Sequence, residues 1–318
     1  MSEPTAILTS HPSAPQPSVP RPPATNSVFR GPDGIRAGWR ALIFLALVVG
    51  LIAAVNLIVW FVLHFLLHRP PHFGAASSLT PLAAVLSDGL LFVFTGLAAL
   101  IMGRIEHRKW GQYGLPVKFA FRSHFWIGIL VGFLAISATL FAIFALHGFH
   151  LAGIAVHGET LLLATAAWSG AFVLVGLGEE FAFRGYLQFT LTTGMGFWPA
   201  AILLSALFGL AHAFNPGESK FGLLSVVCFA MLFCLFLRRT GNLWLAVGFH
   251  AGWDWGQTFF YGVPDSGLAP YHNLFNSSFT GSAWLTGGTV GPEASIFTPI
   301  ALVIVAILFS RMYRERKY

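Results

Sequence analysis

Eight stretches of this chain are long and apolar enough to cross a hydrocarbon layer, and that restricts it to folding within a membrane. A core of ~30 Å takes about 20 apolar residues at 1.5 Å rise each. Such runs fall near residues 41–67, 79–103, 124–147, 160–178, 198–214, 221–237, 242–261 and 296–312. Lipid offers no partner to a free backbone N–H or C=O, so spans are helices or closed barrels, and runs of this length are helices. The predicted fold class is all-α: a polytopic membrane protein of about eight transmembrane helices, with any active site buried in the bundle. Charge supports this, because only 9% of the 318 residues are Asp, Glu, Lys or Arg, against about 25% in soluble domains. The fourth run has room to continue as helix past Gly178, since EEFAFRGYLQFTL holds good helix formers and no proline.

Residues 1–35 read differently. Eight of the 18 prolines lie by residue 32, among Ser, Ala and Thr. Such a segment cannot bury enough apolar surface to offset its ordering entropy. A disordered, Pro-rich cytoplasmic tail is expected there, without the basic-then-apolar pattern of a signal peptide. Residues 36–318 form one transmembrane domain.

The cations orient the spans. Arg21, Arg30, Arg36, Arg40, Arg104, Arg108, Lys109, Lys118 and Arg122 fall on one side of an eight-span chain. Arg184, Arg238, Arg239, Arg311, Arg314, Arg316 and Lys317 join them, which leaves only Arg69 and Lys220 opposite. By the positive-inside rule both termini are cytoplasmic, as expected of a multi-pass protein of the cell membrane. The net charge of +6 is therefore topological, and nucleic acid is excluded as a partner. The loop 262–295 has no Lys or Arg and is expected outside.

Against this background a few polar residues stand out, because an ionised side chain at the bilayer centre costs about 2.5–3.5 kcal/mol. They are Asp88, Glu179, Glu180, Arg184, His212, His250 and Asp254. Glu180 and Arg184 are four apart, ~40° around a helix, and can pair. Glu179 lies ~140° from Arg184 and is left without a local partner. Phe208 and His212 share one helix face, as do His250 and Asp254. With helix 4 running to about residue 192, Glu179, His212 and His250 lie ~16–20 Å from the basic ends of their helices. They can converge on one site, expected toward the inner leaflet. A carboxylate beside an imidazole can take a proton from water and make a nucleophile, and a second imidazole can donate to an oxyanion. Glu179, His212, His250 and Asp254 can equally form a zinc ligand set, although no HExxH occurs. The residues alone are compatible with either.

These motifs carry a resemblance. E-E-x-x-x-R at Glu179, Glu180 and Arg184, F-x-x-x-H at Phe208 and His212, and H-x-x-x-D at His250 and Asp254 stand in order on successive apolar runs. RKWGQYGLP, after the second run, sits where the family has a short loop. Over residues 95–260 the chain resembles the CAAX protease and bacteriocin-processing family, also called CPBP or ABI. The resemblance implies an intramembrane glutamic endopeptidase, a hydrolase of the CAAX prenyl protease type, without a metal cofactor. By that analogy Glu179 and His212 activate water, and His250 and Asp254 stabilise the oxyanion. Arg184 holds Glu180, and Phe208 packs beside the site. The implied partners are a peptide or protein substrate, in some members lipidated, and membrane lipid. Asp254 departs from the Asn of the eukaryotic and archaeal proteases. An ionised carboxylate cannot donate to an oxyanion, so Asp254 must be protonated or act by orienting His250.

The alternatives are a zinc-dependent membrane protease using the same residues, and a non-catalytic scaffold or immunity-type protein. A transporter would show internal repeat symmetry, which is not visible. Cys228 and Cys234, six apart, face different directions and are packing residues. Asp88 is expected to make a structural hydrogen bond. His64, His68 and His72 read as an interfacial cluster, and Trp244, Trp253 and Trp255 as packing or interface residues.

Overall fold

The computed structural model describes residues 28–31, 34–68 and 78–318. The Pro-rich segment 1–27, Arg69 and His72 lie outside the described residues. The chain divides into two units, Met1–Arg36 and Ala37–Tyr318. What is described of the first is a small antiparallel hairpin, β1 Arg30–Gly31 with β2 Gly34–Ile35.

The second unit is all-α, as the apolar runs require. The first three long helices are α1 (Ala37–Phe61), α2 (Pro81–Ile105) and α3 (Ser123–Ala145). Next come α4 (Gly158–Arg184), α5 (Tyr186–Met195) and α6 (Phe197–His212). Then follow α7 (Lys220–Thr240) and α8 (Trp244–Asp254), the latter continued by a π-helical turn, Trp255–Phe260. A single turn, α9 (Ala283–Thr286), precedes α10 (Phe297–Met312). All eight predicted runs fall on helix. Among the described residues, five helical stretches are long and apolar enough to cross a membrane unaided: Ala37–Leu66, Pro81–Ile105, Ser123–Ala145, Gly158–Met195 and Lys220–Thr240. The fourth run does continue past Gly178, but Gly185 (ψ −123°) breaks it before α5.

Burial sorts the helices. In α1 only Ala41, Phe44 and Val48 are buried and most other apolar side chains face outward, Leu57, Ile58 and Val59 among them, whereas every residue of α8 except His250 is buried. Side chains of α8 enter three apolar clusters, with α1, α2 and α4–α6, with α3, α7 and α10, and with α2 and α4. Glycine lets α3 and α8 meet backbone to backbone. A Cβ on Gly132 would lie 2.1 Å from Phe249 O, and one on Gly248 2.1 Å from Phe125 O. Small residues four apart at a crossing are how membrane helices gain close van der Waals contact, since lipid supplies no hydrophobic drive.

Short strands tie the outer connections together. β3 (Ser78–Leu79) pairs in parallel with β5 (Ala269–Pro270), and β4 (Phe149–Ile154) antiparallel with β6 (Phe275–Phe279). The RKWGQYGLP segment braces the start of α8. Leu243 N donates to Gly114 O at 2.8 Å, Trp244 Nε1 to Pro116 O at 3.2 Å, and Trp110 stacks on Phe181 at 4.8 Å.

Candidate active site

Each motif lands near a helix end or beside a close helix crossing. Glu179 and Glu180 lie in the penultimate turn of α4. They follow Gly178, where a Cβ would come 2.4 Å from Asp88 O, so α4 and α2 touch just before the carboxylates. His212 ends α6, and His250 and Asp254 sit one turn apart on α8. All four predicted catalytic residues line one cavity of about 130 Å³.

Glu180 departs from the expectation of a simple pair with Arg184. Arg184 Nη1 does approach Glu180 Oε1, at 3.4 Å, with both side chains fully buried. The same oxygen also accepts from His250 Nδ1 at 3.0 Å. Helical spacing sees only partners on the same helix, and this one comes from α8. Glu179 Oε2 lies 3.6 Å from His250 Nε2, and Asp254 Oδ2 lies 3.5 Å from the same nitrogen. Glu179 therefore has a neighbour that its own helix does not provide. Glu179 Oε2 is buried, and among the described residues nothing hydrogen-bonds to it.

Aromatic rings hold the second imidazole. Arg184 Cζ stands 4.3 Å over the Phe208 ring, and Phe208 contacts the His212 ring at 4.5 Å. His212 Nδ1 donates to Phe208 O at 2.9 Å. A carbonyl can only accept, so Nδ1 carries the proton and Nε2 of the neutral ring is the basic nitrogen. Phe233 of α7 stacks on His250 at 5.5 Å. Phe208 also lines the cavity.

The loop after α8, expected outside, also contributes to the site. It dips back and supplies Asp265, Ser266, Leu268 and Glu293 to the same cavity. Trp253 Nε1 donates to Gln257 Oε1 at 2.7 Å, and Gln257 Nε2 to Pro264 O at 2.8 Å. Thr258 Oγ1 donates to Asp265 Oδ2 at 2.7 Å, and Ser266 N to Glu293 Oε2 at 3.2 Å. This loop therefore closes the cavity from the end of the bundle opposite the basic one. Burial and neighbouring carboxyls push the carboxyl groups of Asp265 and Glu293 above their ordinary values. Neither residue stands at a spacing that marks it in the sequence. The available signal was length: a loop of this size in a compact domain is usually functional, and these are its two acids.

Asp88 accepts from Ser87 Oγ at 2.6 Å, the expected structural bond, and also lines the cavity. Cys228 and Cys234 are free thiols. Trp244 and Trp253 are buried packing residues, and His64 stacks on Trp60 at 5.3 Å. Among the described residues, the group whose ligand atoms all lie within 4.8 Å is Asp254, Asp265 and Glu293, not the four residues of the zinc alternative.

The arrangement places two imidazoles, a buried unpartnered carboxylate oxygen and further carboxyls around a small cavity, which suits proton transfer to and from water. No curated protein matches the chain. Residues 160–256, which carry all three motifs, match the family model described as type II CAAX prenyl endopeptidase Rce1-like, so the family to which the motifs pointed is a family of CAAX-type membrane proteases.

Proposed function

We propose that the protein is an intramembrane endopeptidase that hydrolyses a peptide bond with a water activated by Glu179 and His212. The observation that carries this reading is the convergence of Glu179, His212, His250 and Asp254, from three helices, on one cavity. Glu179 Oε2 has no hydrogen bond of its own and takes a proton from the water as its oxygen attacks the scissile carbonyl carbon. His212 Nε2, the basic nitrogen, orients that water. The carbonyl π electrons move to oxygen, giving a tetrahedral oxyanion. His250, with protons on both ring nitrogens, donates from Nδ1 to Glu180 and from Nε2 to the oxyanion. Asp254 acts by orienting His250, because its carboxylate cannot donate. Collapse of the intermediate breaks the C–N bond, and the proton held by Glu179 passes to the leaving amine.

In this reading the substrate is a protein or peptide presented at the membrane, with prenylated CaaX peptides as the first class to try. No metal takes part. The protein spans the cell membrane several times with both termini cytoplasmic. The test is cleavage of fluorogenic prenylated CaaX peptides by purified protein, beside Glu179→Gln. Cleavage by the wild type and none by the variant is expected. Equal cleavage by both would overturn the assignment of Glu179.

A further inference from the structure

At the basic end of the bundle, α2 finishes in a turn that gathers cations. Arg108 N donates to Gly103 O and Glu106 N to Met102 O, both at 2.8 Å, which folds residues 106–109 back beside the helix. Gly103 gives the room, since a Cβ there would lie 2.9 Å from Arg108 O. The acid of this turn, Glu106, is already engaged. Its Oε2 is 3.1 Å from Arg40 Nη1 and 3.6 Å from Arg108 Nε, and its Oε1 accepts from the Tyr186 hydroxyl. What remains is a cavity of about 410 Å³, walled by Arg104, His107, Arg108 and Lys109 and floored by Leu100 and Trp110. Arg104 and Lys109 are exposed, and neither forms an ion pair among the described residues.

The cavity continues an apolar face. Leu86, Leu90, Val93, Leu97 and Leu100 are all exposed on α2. They are spaced alternately four and three apart, which is one side of a helix, and Arg104 follows four residues after Leu100 on that side. A stripe that meets acyl chains therefore runs straight into a guanidinium, an ammonium and a second guanidinium. Guanidinium groups bind phosphate oxygens through paired N–H donors, and basic pockets at helix ends take anionic head groups.

We propose that this cavity binds an anionic phospholipid, with its phosphate among Arg104, Arg108 and Lys109 and its acyl chains along the α2 stripe. A free anion would use the cations and leave the stripe idle; a phospholipid uses both. The floor of the site also reaches α4, because Trp110 stacks on Phe181, the residue after Glu180. The inference does not depend on the protease reading.

Native mass spectrometry of the full chain in neutral detergent tests it, with phosphatidylglycerol and phosphatidylcholine offered in equal amounts. Wild type should retain phosphatidylglycerol by roughly 30- to 150-fold over phosphatidylcholine, the scale expected for two or three cations at one head group. Arg104→Gln with Lys109→Gln should abolish most of that preference. Lys118→Gln with Arg122→Gln, an equal charge loss outside the cavity, should keep it. If the first double variant does not fold, Lys109→Gln alone carries the test, with about half the loss in logarithmic terms. Equal retention of the two lipids by wild type would overturn the proposal, as would equal effects of the two double variants. Displacement of the lipid by millimolar inorganic phosphate would also overturn it, because the site would then be one for a free anion.

Discussion

Glu180 Oε1 accepts from His250 Nδ1 at 3.0 Å, so the second glutamate of the E-E pair reaches across from α4 to α8 and fixes one ring nitrogen of the histidine. Its pairing with Arg184 is the other half of the same contact, since both use one oxygen. Glu180→Gln keeps an acceptor at that place and removes the charge. We expect kcat to fall roughly 10-fold with KM little changed, the signature of an interaction that matters in the transition state. Glu180→Leu instead strands a fully buried Arg184, at about 3–5 kcal/mol, and should lower the Tm steeply. Full activity in both variants would remove Glu180 from any role in holding His250.

Glu179 should behave in the opposite way. It is partly exposed to the cavity, and among the described residues its Oε2 has no hydrogen bond. Glu179→Gln should therefore leave the Tm within a few degrees of wild type. Loss of a general base costs about 10²–10⁴ in rate. Single-turnover cleavage of a fluorogenic peptide measures this, and a rate within a factor of three of wild type would rule out the general base.

Chelation separates the two forms of the chemistry. With a glutamate-activated water, 1,10-phenanthroline should leave the cleavage rate unchanged over hours of incubation. Loss of activity that Zn²⁺ restores would reassign the cavity residues as ligands.

The α3–α8 crossing makes a stability prediction. Leucine at Gly132 would place its Cβ 2.1 Å from Phe249 O and force the helices apart. Overpacking costs about 1–3 kcal/mol or more, and here it also displaces the turn that carries His250. Gly132→Leu should lower both Tm and kcat, whereas Leu130→Ala, at an exposed position on the same helix, should change neither. Comparable losses in the two variants would mean that the crossing is not what sets the site.

Glu293 gives a pH dependence whose sign can be worked out. Burial, Asp265 and Asp254 raise its carboxyl well above 4.5, so the folded protein holds a proton that the unfolded chain releases. Stability then falls as pH rises from the ordinary value toward the raised one. Glu293→Gln removes this loss, so its Tm should gain on wild type between pH 5 and pH 8. Parallel Tm profiles for the two proteins would contradict the burial argument.

How far these features can be read in the sequence depends on the range of the interactions that make them. The spans follow from runs of apolar residues, which lipid alone selects, and Phe208–His212 and His250–Asp254 follow from four-residue spacing on one helix. Glu180–His250 does not, because it joins α4 to α8 across 70 residues. Asp265 and Glu293 were hidden for a related reason. Their place in the cavity is decided by Gln257, Thr258 and Ser266, which pin an aperiodic loop to the bundle. The break at Gly185 was also invisible, since the surrounding residues are good helix formers and the change is in the backbone.

The cavity is made of two materials. Glu179, His212 and His250 ride on packed helices, where the crossing at Gly132 and Gly248 has no room for a single added carbon. Asp265 and Glu293 arrive on a loop whose outer positions, Tyr271, His272 and residues 280–284, are exposed. The helical wall is thus rigid to substitution, while the loop is tied down at fewer points, among them the Tyr271 carbonyl, which accepts from Trp168 Nε1 of α4 at 3.0 Å. Under the proposed function, substitutions at Leu268, a loop position that lines the cavity, would vary what it admits while the hydrolytic groups keep their places.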